Sequence, residues 1–157
     1  MISKLFAALP AIVFAAGVSA QQPATTSAID YGTARITPGT WTYQSVPGGS
    51  AARFIDSTGT ARFTLECSKA TRRVTIARAS GTAAPGLFIW TTDASRSVGA
   101  RFDAASSRVL LELAARDSLL DAIAFSRGRI AVVMTGAETL VMPAWPEAAR
   151  TIEDCRI

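Results

Sequence analysis

No histidine occurs anywhere in the 157 residues. The commonest general base and metal ligand is therefore missing, which excludes a Ser-His-Asp triad, a Cys-His pair, an HExxH helix and the usual zinc sites. A G-x-S-x-G elbow, an S-x-x-K motif, a P-loop and a dinucleotide glycine fingerprint are absent too, so neither a metal nor another cofactor is expected. Lysine is nearly absent: beyond residue 20, Lys69 is the only one, and every other cation is arginine. A modest arginine excess spread over many short segments is not a nucleic-acid footprint, and no nucleic-acid partner is expected. Cysteine is confined to Cys67 and Cys155. They are far from the C-x-x-C spacing of redox-active thiols. Long apolar runs are lacking as well, since the one at the N-terminus falls short of the roughly 20 residues that span a bilayer.

That N-terminal run is nevertheless informative. In MISKLFAALPAIVFAAGVSA, Lys4 supplies a positive start, Leu5 to Val18 are apolar apart from Pro10 and Gly17, and Val18-Ser19-Ala20 offers small residues to a signal peptidase. Residues 1–20 therefore read as a secretory signal cleaved between Ala20 and Gln21. The product is expected to be periplasmic or secreted, and not membrane-spanning once the signal is gone. No cysteine stands near the cleavage point, so lipid attachment is not expected. Removal of the signal takes away Lys4 and no acidic residue, lowering the formal charge of +4 by one.

In an oxidising compartment an isolated cysteine pair forms one disulfide. Cys67 and Cys155 would close a long loop, for which the chain-entropy account gives about 4 to 5 kcal/mol. Thr-, Ala-, Gly- and Pro-rich residues 21–39 read as a flexible N-terminal segment, and residues 40–157 as a single domain. Within it, short runs of β-formers alternate with turn residues: WTYQSV, AARFID, ARFTLEC, RVTIARA, LFIWTT, a strand near Val98 to Phe102, RVLLELA, RIAVVMT and TLVMP. In ARFTLEC the residues Ala61, Phe63, Leu65 and Cys67 share one face, the period-2 sign of a half-buried strand with Cys67 pointing inward. LFIWTT is apolar on both faces and reads as a strand covered on both sides. Two helices interrupt the pattern. One, DSLLDAIAFSRG, is capped by Asp117 or Ser118 and closed by Gly128, and the other, PEAARTIEDC, aligns Ala148, Ile152 and Cys155 in a stripe. The fold class is mainly β: an antiparallel sandwich or partly open barrel of about eight strands with two short helices packed on it.

The candidate sites are few. Asp117 and Asp121, with Asp103 or Glu112 across a cleft, are the only carboxylates arranged for a glycosidase-like pair, and a helix cap or turn explains each of them equally well. Trp41 and Tyr43 lie at i and i+2, on one face of the first strand, where they either stack on a ligand or cover the core. Arginines recur along successive strands at 53, 62, 73, 78, 101 and 108. Should Arg53, Arg62, Arg73 and Arg78 share an outer face, they would attract an anionic glycan or lipid headgroup. Asp56, Glu66 and Glu112 interleave with them, as on an ordinary solvated face.

The stretch from Asp117 to Cys155, carrying AFSRGR, PAWPE and AR followed by EDCR, resembles the closing part of small exported alphaproteobacterial proteins, a largely uncharacterised group. The central strand ending in Cys67, matched by a terminal cysteine, fits the same group. In order of elements alone the chain is similar to invasion-associated locus B proteins and type VI secretion accessory proteins. These resemblances bring no catalytic residues and imply an envelope-resident, non-catalytic β-rich module. The function expected first is thus an interaction module, accessory or inhibitor-like, that docks on another envelope protein. Binding of an anionic envelope glycan or lipid headgroup through an arginine-bearing sheet face is the alternative, and a carboxylate-pair hydrolase the third.

Overall fold

A computed structural model describes residues 29–157. Ten strands and two helices follow one another as β1 (Thr40–Val46), β2 (Gly49–Ile55), β3 (Ala61–Ser68), β4 (Arg73–Ala79), β5 (Gly86–Trp90), β6 (Ser95–Gly99), β7 (Arg101–Asp103), β8 (Arg108–Ala114), α1 (Ser118–Ala124), β9 (Arg129–Val133), β10 (Leu140–Pro143) and α2 (Pro146–Asp154). They form two antiparallel sheets, one of six strands in the order β1-β2-β3-β4-β8-β7 and one of four in the order β10-β9-β5-β6. The class read from the sequence holds. The sheets do not close into a barrel.

Alternation builds the core. Cross-strand partners share a face, so one row of the large sheet runs through Trp41, Phe54, Phe63, Arg78, Val109 and Phe102. A second runs through Tyr43, Ala52, Leu65, Ile76 and Leu111. These inner rows meet Leu87, Ile89, Ile130, Val132, Leu140 and Met142 of the small sheet, all fully buried. Each such side chain contributes roughly 1.5 to 3 kcal/mol by leaving water. The edges of the Trp41 indole and of Phe54 and Phe63 meet at ring-centroid distances of 5.6 and 6.1 Å.

The expected strand near Val98 to Phe102 is two strands. β6 belongs to the small sheet and β7 to the large one, and the chain changes sheet at Ala100, whose N–H donates to Pro85 O at 3.0 Å. Such a bend is how a sandwich makes a corner. The helices close the end that the small sheet leaves open, with α2 lying over β1, β2 and β3. Asp117 is the cap of α1: its carboxylate accepts from the Leu119 N–H at 2.8 Å. α1 ends earlier than expected, at Ala124 with Phe125 as its C-terminal cap. Gly128 instead supplies a positive φ of 93° in the turn that leads into β9.

Cys67 on the inner face of β3 and Cys155 at the end of α2 form a disulfide, their Cα atoms 5.4 Å apart. Both are buried, 2% and 0% exposed, which fits an oxidising, extracytoplasmic compartment. Gly49 lets β2 begin close against β3: a Cβ there would run into the Cys67 carbonyl.

The described part of the N-terminal segment, 29–39, is packed on the domain. The Tyr31 ring lies against Phe88 and Trp90 with centroids 6.5 and 5.9 Å away, Arg129 donates to Gly32 O, and the Thr37 N–H donates to Val141 O at 2.8 Å. This segment covers the outer face of the small sheet. It gives LFIWTT its second cover. Ala20 and Gln21 lie outside the described residues. Among the described residues no helix is long and apolar enough to cross a membrane.

Candidate functional site

The outer face of the large sheet carries most of the strand arginines. Because Phe63, Leu65 and Cys67 point inward on β3, and Val74, Ile76 and Arg78 on β4, the outward positions fall to Arg53 on β2, Thr64 and Glu66 on β3, Arg73, Thr75 and Ala77 on β4, Arg108, Leu110 and Glu112 on β8, and Arg101 on β7. One outer row reads Thr42, Arg53, Thr64, Ala77, Leu110, Arg101. Short residues in its middle let a long one lie flat. Arg108 reaches from β8 across Ala77 on β4 to the Thr64 hydroxyl on β3, donating to Oγ1 at 3.0 Å. Thr64 and Ala77 are buried for that reason, 4% and 6% exposed, although they face outward.

The result is a groove of about 300 Å³ between Arg53 and Arg108, floored by Thr64, Ala77 and Leu110 and bordered by Glu66 and Thr75. Arg53 turns toward β1, where its Nη1 donates to Gln44 Oε1 at 2.9 Å. Among the described residues neither Arg53 nor Arg108 has a carboxylate within ion-pair distance. Each guanidinium carries five donors in a planar fork and spends one of them here on a neutral oxygen. Arg101, also without a carboxylate partner, continues the row at the β7 edge beside a second groove of about 460 Å³. Sites of this kind, with unspent donors above a small-residue floor, are suited to bidentate contact with a carboxylate, sulfate or phosphate.

The other arginines of the expected set are placed differently. Arg62 stands at the end of the sheet and is neutralised by Asp56 at 3.2 Å and Glu138 at 3.7 Å. Asp56 is a strong partner, because the Thr58 hydroxyl, the Thr60 and Thr58 N–H groups and Arg62 together hold its pKa at about 2 against the adverse effect of burial. Arg73 is on the outer face but pairs with Glu112 at 3.2 Å. Arg78 is a correction to the arginine face. It lies on the inner face, 1% exposed, and donates to Ala79 O at 2.8 Å, to Glu138 O at 3.1 Å and to Arg62 O at 3.4 Å. Burial, with the charge of Arg62, lowers its pKa to about 10, Glu138 pulling the other way. No carboxylate neutralises Arg78 directly. Its parity with Val74 and Ile76 places it inside, and its polar head is met by main-chain carbonyls.

The aromatic pair does share a face, and that face is the inner one. Trp41 is 4% exposed and its indole N–H donates to Pro143 O at 2.8 Å, so its ring is enclosed. The Tyr43 hydroxyl donates to Asp154 Oδ2 at 2.7 Å, and the Arg150 guanidinium lies 4.0 Å over its ring. Burial pushes the Asp154 carboxyl up, but the Tyr43 bond and the charges of Lys69 and Arg150 outweigh it and hold the pKa below the ordinary value. These contacts fasten β1 to α2. The carboxylates weighed for hydrolysis are engaged in structure as well: Asp117 with the α1 cap and Arg96 at 2.6 Å, Asp121 with Arg156 at 2.6 Å, Glu112 with Arg73, and Asp103 with the Ser106 hydroxyl. Sequence reasoning missed Gln44, Thr64, Thr75 and Ala77. The available signal was the presence of short residues at outward positions of two strands flanked by arginines on either side.

Compared with family models, with curated proteins and with solved structures, the chain matches none.

Proposed function

We propose that this protein is a periplasmic or secreted binding module that holds an anionic envelope component, an acidic glycan or a lipid headgroup, against the outer face of its large sheet. The observation that carries the reading is the groove lined by both Arg53 and Arg108 over a floor of Thr64, Ala77 and Leu110, neither guanidinium having a carboxylate within ion-pair distance among the described residues. On the same sheet Arg62 and Arg73 are neutralised by carboxylates, and Arg53 and Arg108 are not. Leaving two unpaired over one floor raises the local potential for an incoming anion. Docking on another envelope protein, the reading expected first, has less support: the exposed large apolar residues Ile29, Ile36, Phe125, Trp145 and Ile157 all lie off the strands.

The test uses two probes, sedimentation with phosphatidylglycerol vesicles and retention on an immobilised uronic-acid polysaccharide. Binding to at least one is expected, and the pair of results tells lipid from glycan. Replacing Arg53 and Arg108 together by alanine should weaken it at least tenfold, about 1.4 kcal/mol, with thermal stability unchanged. Added salt should weaken it steeply, since the screening length shrinks from about 10 Å at 0.1 M to about 3 Å at 1 M. Binding that survives the double substitution, or that salt does not touch, would remove the proposal.

A further inference from the structure

The four ends of the two sheets are protected very unequally. β10 ends in Pro143 and is bordered by Thr37, which bonds to both the N–H and the C=O of Val141. β6 carries Arg96 and bends away at Ala100, and β7 is three residues long with a charge at each end. Proline, charge, bends and shortness are the means by which native sheets stop a foreign strand from pairing. β1 has none of them. Its seven residues, TWTYQSV, include no charge and no proline, and its ladder with β2 runs from Thr40 to Val46 without a bulge. Among the described residues no main-chain group outside β2 bonds to its main chain. Thr40, Thr42, Gln44 and Ser45 are exposed along it.

We infer that β1 is a self-association edge, and that its occupant is the β1 of a second copy of this chain in antiparallel pairing about a two-fold axis through Tyr43. Centring on Tyr43 pairs the strand over its full length, Thr40 against Val46, Trp41 against Ser45 and Thr42 against Gln44 of the second copy. At the axis Tyr43 lies opposite its own symmetry mate, and Thr42 and Gln44 lie diagonal to theirs, so a charge at these central positions would meet its like. The uncharged composition of β1 removes that penalty, which Arg96, next to the centre of β6, would impose there. The helices also fit. α2 lies over β1 to β3, and the two β2 strands would be separated by three strand spacings, about 14 Å, against the 8 to 10 Å that packed helices need. The joined sheet would have twelve strands, with the two Arg53 side chains flanking the seam on one continuous face. The inference does not depend on what the arginine groove binds.

Light scattering on the purified exported chain tests it. The expected mass is twice that of one chain, falling to a single chain in the Thr42→Lys/Gln44→Lys variant, which places cations on exposed positions facing each other across the axis and leaves the core intact. Mixing a Thr42→Cys variant with a Gln44→Cys variant should give a covalent heterodimer on mild oxidation, as the register requires. A single-chain mass at every concentration would overturn the inference. So would a double mass that the lysine pair leaves unchanged, a mixture of the cysteine variants that does not cross-link, or a dimer that a strand from an unrelated protein displaces at β1.

Discussion

The outer faces of the two sheets are built from the same alternation and end in opposite conditions. On the small sheet the outward positions include Phe88, Trp90, Ala131, Val133 and Val141, an apolar surface against which segment 29–39 packs Tyr31. On the large sheet they are arginine, threonine, glutamate and alanine, and nothing among the described residues covers them. An apolar face left in water costs free energy in proportion to its area, so its cover belongs to the fold. A polar face costs nothing to expose, and its side chains are free to be arranged for a ligand. One face thus explains why the domain begins before β1, and the other is where recognition is to be sought.

The deepest break in this comparison would strike the seam that both sheets share. Arg78 joins β3 and β4 of the large sheet to Glu138 in the β9–β10 turn of the small one. Arg78→Ala should cost about 3 kcal/mol or more in chemical denaturation, combining a large-to-small cavity with three carbonyls that lose a donor. Arg78→Met, which keeps the packed stem and removes the buried charge, should cost less. An alanine variant within 0.5 kcal/mol of the parent would show that the arginine does not tie the sheets together.

A smaller break separates the two faces. Tyr31→Ala removes the ring that packs on Phe88 and Trp90, and should cost about 1 to 2 kcal/mol while leaving anion binding at the arginine groove as it was. Trp90 should then emit at longer wavelength, as its indole gains water. A loss of binding in this variant would mean that the faces are coupled and the division drawn between them is wrong.

Acid should act on the large sheet through Asp56. Asp56 has a folded pKa of about 2 against an ordinary 3.8, so the unfolded chain binds its proton first. Its contribution is complete above about pH 4 and lost as pH falls through 2. Stability should decline over that interval, and Asp56→Asn should make the decline less steep; equal slopes in parent and variant would dismiss the β2–β3 turn as an acid-sensitive element.

Much of the fold was legible because period 2 is a strong signal. Phe63, Leu65 and Cys67 indicated a face, Ala148, Ile152 and Cys155 a stripe, and the two together a bridge from sheet to helix. The same counting places Arg78 inside with Val74 and Ile76, yet its charge argued for the surface. The conflict resolves in space, since three carbonyls from three segments converge on its head and no local pattern announces them. The division of residues 95–103 between two sheets was hidden for a similar reason: Ala100 marks the bend only because Pro85 O is there to receive its N–H. Of the site, the arginines were visible in the sequence and their pairing was not. Which of them is free depends on β8 lying beside β4, which sets Glu112 next to Arg73, a matter of strand order.

That distinction yields the smallest effect and the finest test of the face. Arg73 and Glu112 form an exposed pair, with side chains 45% and 53% exposed, and pairs of this kind contribute about 0 to 1 kcal/mol. Arg73→Ala should therefore leave stability within about 0.5 kcal/mol of the parent. Its effect on anion binding should be slight and adverse, because the substitution removes a cation and frees Glu112 to repel the ligand. Glu112→Gln makes the opposite change: Arg73 loses its partner and joins Arg53, Arg101 and Arg108 as an unneutralised cation on the same face. Binding to the anionic probe should then strengthen by a small factor and fall more steeply with added salt. If Glu112→Gln weakens binding instead, the carboxylate belongs to the site, and the face recognises a ligand that carries donors as well as negative charge.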